Sequence, residues 1–309
     1  MTLPLPYRVF NGVALVAHKL GRTPTAEEYL ARPRAQRASE KPPAWTLRPA
    51  PADVRSADRD VPTRDGSVRV RVYEPERRSG RGLLYVHGGG FTVGSVESCH
   101  HILLDLASRT GDVIVSVDYR LAPEDPYPAG LDDCEDAFDW FLVEAASFGV
   151  DPARVAAAGD SAGGNLVAAL CLRRRDAGAT MPTKQVIIYP MLDLTCSRAS
   201  WVSEGRPPMT ADMVVKVARA YAGRHDLTAP EVSPLFATDL GGLPPALVVT
   251  SQHDTLRDDG NDYAARLLEA GTPARLIEYA GMPHGFLSLP RLTRSYDPCL
   301  LAVVDHLTS

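Results

Sequence analysis

Residues 155–158 form a short apolar run headed by a β-branched residue. The run meets Gly159-Asp160-Ser161-Ala162-Gly163, and the stretch 164–170 that follows reads as a helix. This strand-to-helix bend constrains the chain more than any other feature, because it sets a serine on a sharp turn at the end of a strand. The flanking glycines let the backbone turn without a Cβ clash. The helix that follows directs its free N-terminal N–H groups at the serine oxygen. Taken alone, the pentapeptide is equally compatible with small residues that pack against a helix by accident. The surrounding pattern has to decide.

Strand and helix signals alternate on both sides of the bend. Residues 68–73 alternate apolar and charged side chains, which predicts a half-exposed antiparallel edge strand. A polar, hairpin-like loop at 75–82 leads to a continuous apolar run at 83–86, a central strand that ends in His87-Gly88-Gly89-Gly90. A helix is expected over 97–109, a buried strand at 113–117 and a long helical segment over 128–148. The helix after Ser161 should run to about Asp176, with Gly178 as its stop. Further strands are expected at 185–189, around Val248 and Val249, and at 275–279. Helices are expected at 257–270, ended by Gly271, and at 298–307. Repeated strand-then-helix units predict a mostly parallel central sheet flanked by helices.

Two regions break the alternation. Residues 1–50 carry seven prolines, Pro4, Pro6, Pro24, Pro33, Pro42, Pro43 and Pro49, and no strand pattern. The stretch 9–17 reads as an amphipathic helix and not as a signal peptide. Thr25-Ala26-Glu27-Glu28 fits the start of a helix, with Thr23 as cap and Pro24 at the first helical position. We read 1–50 as a helical cap segment; a disordered tail is the alternative. Residues 195–230 hold a helix at 211–221 and no strand, and read as a cap insertion in a catalytic domain spanning 51–309.

Composition excludes several function classes. The 309 residues are 45% hydrophobic and 23% charged, enough for a sizeable core in a soluble protein. A net charge of -5 leaves no footprint for nucleic acid. No apolar run is long enough to span a membrane. The five cysteines are scattered, which suggests free thiols in a reducing, cytoplasmic compartment. No phosphate-loop pattern and no metal-ligand spacing is present, and the glycine run at 88–90 does not complete a dinucleotide fingerprint.

A serine is a poor nucleophile without a base to take its proton and an acid to orient that base. On a strand-to-helix bend, the carboxylate and histidine follow the serine in chain order, each after a strand. Asp254 follows the strand near Val249, and His284 follows the strand at 275–279. Both belong at the carboxyl edge of the sheet, where loops converge. Asp258 and Asp259 are the competing acids, but they fall in the first turn of a helix, where the dipole alone explains them. His100 and His101 are adjacent on a helix. His225 and His306 fall in a cap loop and a terminal helix, and His253 should point away from its neighbour. Negative charge that develops on a substrate carbonyl needs preorganised N–H donors. His87-Gly88-Gly89-Gly90 and the N–H of Ala162 can supply them. Asp160, Glu124 and Asp132 read as structural carboxylates, Asp160 held by hydrogen bonds and the other two as loop anchors.

These motifs together resemble those of the hormone-sensitive-lipase-like esterases of the α/β-hydrolase superfamily, also called bacterial family IV. The matching blocks are His87-Gly88-Gly89-Gly90, Tyr119-Arg120-Leu121-Ala122-Pro123-Glu124 with Pro128-Ala129, Gly159 through Asn165, Asp254 through Asp258, and His284-Gly285-Phe286. The resemblance implies an α/β-hydrolase fold with a helical cap, no cofactor, and carboxylesterase activity on small-molecule esters with short- to medium-chain acyl groups. It implies Ser161 as nucleophile, Asp254 as acid, His284 as base, and Gly89, Gly90 and Ala162 as the oxyanion hole. A homodimer is compatible with relatives of this kind. Thr255 departs from the usual proline, and Phe91 is one of several aromatics found after the glycine triplet.

The same triad also serves amide, lactone and carbamate hydrolysis, and relatives with an altered triad act as ligand-binding proteins. Trp45, Trp201, Met209 and Met213 are candidates to line a pocket, or to pack the cap.

Overall fold

The computed structural model describes residues 25–205 and 209–309. The expected helix at 9–17, the cap at Thr23 and Pro24 lie outside the described residues. Two short helices, α1 (Ala26–Leu30) and α2 (Arg34–Ala38), precede the sheet. The start of α1 differs from expectation. Thr25 is its cap: the Thr25 side chain accepts from the Glu28 N–H, and the Glu28 carboxylate accepts from the Thr25 N–H at 2.8 Å. This reciprocal box satisfies two of the N–H groups that a helix start leaves open.

Eight strands form one sheet in the order β1-β2-β4-β3-β5-β6-β7-β8. They are β1 (Val54–Thr63), β2 (Gly66–Pro75), β3 (Gly82–Val86), β4 (Val113–Val117), β5 (Val155–Asp160), β6 (Gln185–Ile188), β7 (Ala246–His253) and β8 (Ala274–Pro283). The pairs β1/β2 and β2/β4 are antiparallel; every other pair is parallel. Between strands run α3 (His100–Thr110), α4 (Ala129–Glu144), α5 (Ala162–Asp176), α6 (Ala199–Ser203), α7 (Ala211–Ala222) and α8 (Arg257–Glu269), and α9 (Tyr296–Thr308) follows β8.

Two expectations about the sheet are corrected. Residues 68–73 do not form an edge. They lie in β2, between β4 and the additional strand β1, which carries the outer edge. Their alternation persists because one face packs Val68, Val70 and Val72 into the core, while Arg69 and Arg71 on the other face pair with Asp118, Asp58 and Glu97. Nor does the 75–82 connection make a hairpin, because β4 sits between β2 and β3.

The buried strands divide the core by alternation. Leu84 and Val86 of β3 face a cluster with Phe138 and Phe141 of α4 and Leu166 and Leu170 of α5. Leu83 and Tyr85 face the opposite cluster, with Leu103 and Leu106 of α3 and Leu300 and Val303 of α9. Helices therefore cover both faces, and the carboxyl ends of β3, β5, β7 and β8 open on one edge. Helix α5 is buried along nearly its whole length from Ala162 to Leu172, as expected of a helix that is apolar on all sides.

Candidate active site

The bend after β5 is tight because two glycines permit it. A Cβ on Gly159 would stand 2.3 Å from the Gly163 carbonyl oxygen, and one on Gly163 would stand 2.0 Å from that of Val86. Their absence lets α5 start directly against β5 and β3. Ser161 adopts φ 55°, ψ -120°, a backbone state that side-chain-bearing residues rarely occupy and that must be held by its surroundings. The Ser161 N–H donates to Ile188 O at 2.8 Å, and the Ser161 carbonyl accepts from Met191 N–H at 3.3 Å. Asn165, one turn along, donates its side-chain amide to Met191 O and Val232 O at 2.8 and 2.9 Å.

The acid and the base arrive from neighbouring strands. His253 of β7 is paired with Pro283 of β8 across a bulge. The next residues, Asp254 and His284, therefore leave the sheet side by side. His284 Nδ1 lies 2.8 Å from Asp254 Oδ2, and His284 Nε2 lies 3.0 Å from Ser161 Oγ. The second Asp254 oxygen accepts from Leu256 N–H at 2.9 Å. An ionised carboxylate can only accept, so Nδ1 carries the imidazole proton and Nε2 offers its lone pair to the serine hydroxyl. Burial disfavours the imidazolium, but the charge and hydrogen bond of Asp254, with a contribution from Asp160, outweigh it and raise the His284 pKa.

Behind the serine, Tyr85 OH and Gly88 N–H both donate to Asp160 Oδ1, at 2.9 and 3.0 Å. Burial pushes the Asp160 carboxyl up despite these donors. His87 stacks on Tyr119 with ring centroids 4.3 Å apart and donates from Nδ1 to Gly88 O at 2.7 Å. Burial lowers its pKa. The glycine turn closes through Thr92 and Val93 N–H to Gly89 O, each at 3.1 Å. Gly89 and Gly90 take φ of 121° and 57°, and a Cβ on Gly89 would stand 2.1 Å from Val93 O. No group among the described residues accepts from the N–H of Gly89, Gly90 or Ala162.

Ser161, His284, Gly89 and Gly90 line a cavity of about 920 Å³. Its walls are largely apolar, with Ile102, Met191, Val214, Val217 and Leu289 among them, and Met209 and Met213 join from the 195–230 region. Tyr29 and Pro42 of the N-terminal segment close another side. Trp201 and Trp45 lie elsewhere. Trp201 is buried and donates its indole N–H to Asp259 at 3.0 Å, and Trp45 is exposed.

The competing residues have other partners. Asp258 accepts from Ser200 N–H, and Asp259 accepts from Leu192 and Asp193 N–H, each at 2.9 Å. Burial pushes the Asp259 carboxyl up to about 8. His100 contacts Tyr73 OH, His101 contacts Leu287 O, His253 faces Glu204, and His225 packs edge-on against Tyr127. His306 accepts at its carbonyl from Lys184. Glu124 pairs with Arg37, and Asp132 with Arg173. The Asp259–Trp201 contact carried no sequence signal beyond the two residue types, which lie far apart in the chain. Among the described residues, no group of three or more His, Cys, Asp or Glu side chains is placed to hold a metal ion. None of the described helices is long and apolar enough to cross a membrane.

The family profile described as alpha/beta hydrolase fold matches residues 83–288, from β3 to the turn after His284. The chain belongs to the α/β-hydrolase family. The matched profile is that of the hormone-sensitive-lipase-like branch. The hydrolase is 38% identical over 242 residues to an arylesterase of Saccharolobus solfataricus, covering 77% of this chain and 78% of that protein. It is 35% identical over 295 residues to the carboxylesterase NlhH of Mycobacterium tuberculosis, covering 93% and 86%. Among solved structures it is similar to the ester-hydrolase EH1AB1 from the metagenome of Lake Arreo, complexed with a derivative of bipyridine phosphonate. That likeness has a TM-score of 0.84 and 35% identity and covers all of both chains.

Proposed function

We propose that this hydrolase is a serine carboxylesterase that cleaves short- to medium-chain acyl esters through an acyl-enzyme on Ser161. The observation that carries the reading is the bridge His284 makes between Asp254 and Ser161, at 2.8 and 3.0 Å, on the wall of an apolar cavity. The esterase names borne by relatives along most of the chain support the same reaction class.

His284 Nε2 takes the hydroxyl proton as Ser161 Oγ bonds to the ester carbonyl carbon. The resulting oxyanion is stabilised by the N–H groups of Gly89, Gly90 and Ala162, donors with no acceptor among the described residues. The C–O bond to the alcohol breaks, and His284 returns the proton to the departing oxygen. Water then attacks the acyl-enzyme with His284 again as base, releasing the acid and restoring Ser161. Asp254 holds the imidazole in the required tautomer and stabilises its charged form.

Residues 25–50 and the described part of 195–230 form a cap whose Tyr29, Met209 and Met213 bound the acyl and alcohol groups. The five free cysteines favour a reducing, cytoplasmic setting. The open edge of β8 offers a strand along which two copies could pair as a homodimer.

Hydrolysis of p-nitrophenyl esters from acetyl to palmitoyl tests the reading. It expects turnover that peaks at the shorter chains and is lost in Ser161→Ala. Turnover retained by folded Ser161→Ala would overturn it.

A further inference from the structure

The loop that carries Gly89 and Gly90 is not held by the sheet alone. Arg37, from the N-terminal segment, is fully buried although it carries a charge and sits on the short helix α2. Its guanidinium is saturated. Nε donates to Arg32 O at 3.0 Å; Nη1 donates to Thr92 O and to Ala122 O, the latter at 2.8 Å; Nη2 donates to both carboxylate oxygens of Glu124, one at 2.6 Å. Five N–H donors are the whole capacity of the group.

Three of the acceptors, on Thr92, Ala122 and Glu124, bear on the glycine turn and the block beside it. Thr92 lies in the turn whose N–H groups close on Gly89 O, and Gly94 N–H in turn donates to Arg37 O at 3.2 Å. Ala122 N–H donates to Phe91 O at 3.0 Å, so the Ala122 peptide is tied to the same turn from its other side. One buried cation thus joins the glycine turn to the 119–124 block. A buried charge is tolerated only where such pairing is complete, and removing it leaves two inward-facing carbonyls without a donor.

We infer that Arg37 is a positioning residue for catalysis: it fixes the glycine turn so that the Gly89 and Gly90 N–H groups meet the developing oxyanion. The N-terminal segment then governs the chemical step, beyond enclosing the substrate. The inference rests on the carboxylesterase reading above. It predicts a defect in kcat with little change in KM, because the turn acts on the transition state and not on ground-state binding.

The test uses full-length wild type, Arg37→Lys and Glu124→Gln, with folding checked by circular dichroism. Lysine keeps the charge but cannot reach both carbonyls and the carboxylate together. Glu124→Gln removes the counter-charge and leaves Nη2 one acceptor oxygen, which loosens the hold of the guanidinium on the two carbonyls. Because the Glu124 side chain is 44% exposed, water reaches the freed donor and the change is milder than Arg37→Lys, which keeps the test open if the lysine variant fails to fold. Arg37→Lys is expected to lose about 10–100-fold in kcat on p-nitrophenyl acetate, with KM within about threefold. Its affinity for a trifluoromethyl ketone, which forms an oxyanion on the serine, should fall in parallel. Glu124→Gln should show the same signature in weaker form. Folded variants with wild-type kcat and ketone affinity would overturn the inference, as would a rise in KM alone. If wild type itself turns over no ester, both readings fall. Turnover by wild type with indifferent variants removes only this one.

Discussion

Asp254 Oδ2 stands 2.8 Å from His284 Nδ1, and the pair owes its closeness to the bulge at which His253 of β7 meets Pro283 of β8. The shift in register between Ser251 and His253 sets His253 opposite Pro283, so the two loops that follow leave matched positions and deliver their side chains to one place. The distance between acid and base is therefore a property of the sheet edge.

Replacing that acid should separate orientation from charge. Asp254→Asn keeps the side-chain size but can donate to Nδ1, which favours the tautomer that offers no lone pair to Ser161. The expected loss in kcat is roughly 10³–10⁴-fold, with the fold retained. Steady-state kinetics on p-nitrophenyl butyrate measure it. A loss below about tenfold would show that the imidazole needs no such partner.

The pH profile follows from the same contact. Asp254 raises the His284 pKa above the ordinary 6.5 even against burial. The base must be neutral to accept a proton, so activity should be lost as pH falls through that raised value. The acid limb of kcat/KM is thus expected to centre above 6.5 in wild type and to move lower in Asp254→Asn. A midpoint at or below 6.5 in wild type would contradict the assigned pairing.

Gly163→Ala tests the bend itself. The added methyl would meet Val86 O at 2.0 Å and His87 O at 2.7 Å. Both are backbone atoms, Val86 at the end of β3 and His87 just after it, and neither can swing aside as a flexible side chain could. The expected cost is about 3 kcal/mol or more, read as a lower urea midpoint. A midpoint equal to wild type would mean that α5 does not approach β3 as closely as described.

Chain-length preference should answer to the cavity wall. Met213 lines the cavity, and Met213→Trp would add bulk there. Activity on octanoyl and longer esters should fall at least tenfold relative to acetyl, through space lost to the acyl chain. An unchanged ratio across the ester panel would place the acyl group on another wall.

The site was more legible in the sequence than its supports. Ser161, Asp254 and His284 each follow a strand in the expected chain order, and the competing Asp258 and Asp259 are set apart by their place in the first turn of a helix. The buried strands β3, β4 and β5 were equally plain as apolar runs. Strand β1 was not, because Val61 is its one buried residue and Asp58, Asp60 and Pro62 argue against a strand. Its pairing with β2 decides its structure, and pairing is not written in local composition. Missing β1 turned β2 into an expected edge. Arg37 gave no signal either: it is one arginine among many, in a proline-rich stretch, and its partners Thr92, Ala122 and Glu124 are 55 to 87 residues away.

The central claim is that Ser161 is an activated nucleophile. Labelling with a fluorophosphonate, followed by mass spectrometry of the digested protein, tests it most directly. One adduct on the peptide that contains Ser161 is expected in wild type, sharply slowed in His284→Ala and absent in Ser161→Ala. Labelling elsewhere, or none in an intact wild-type protein, would contradict the account.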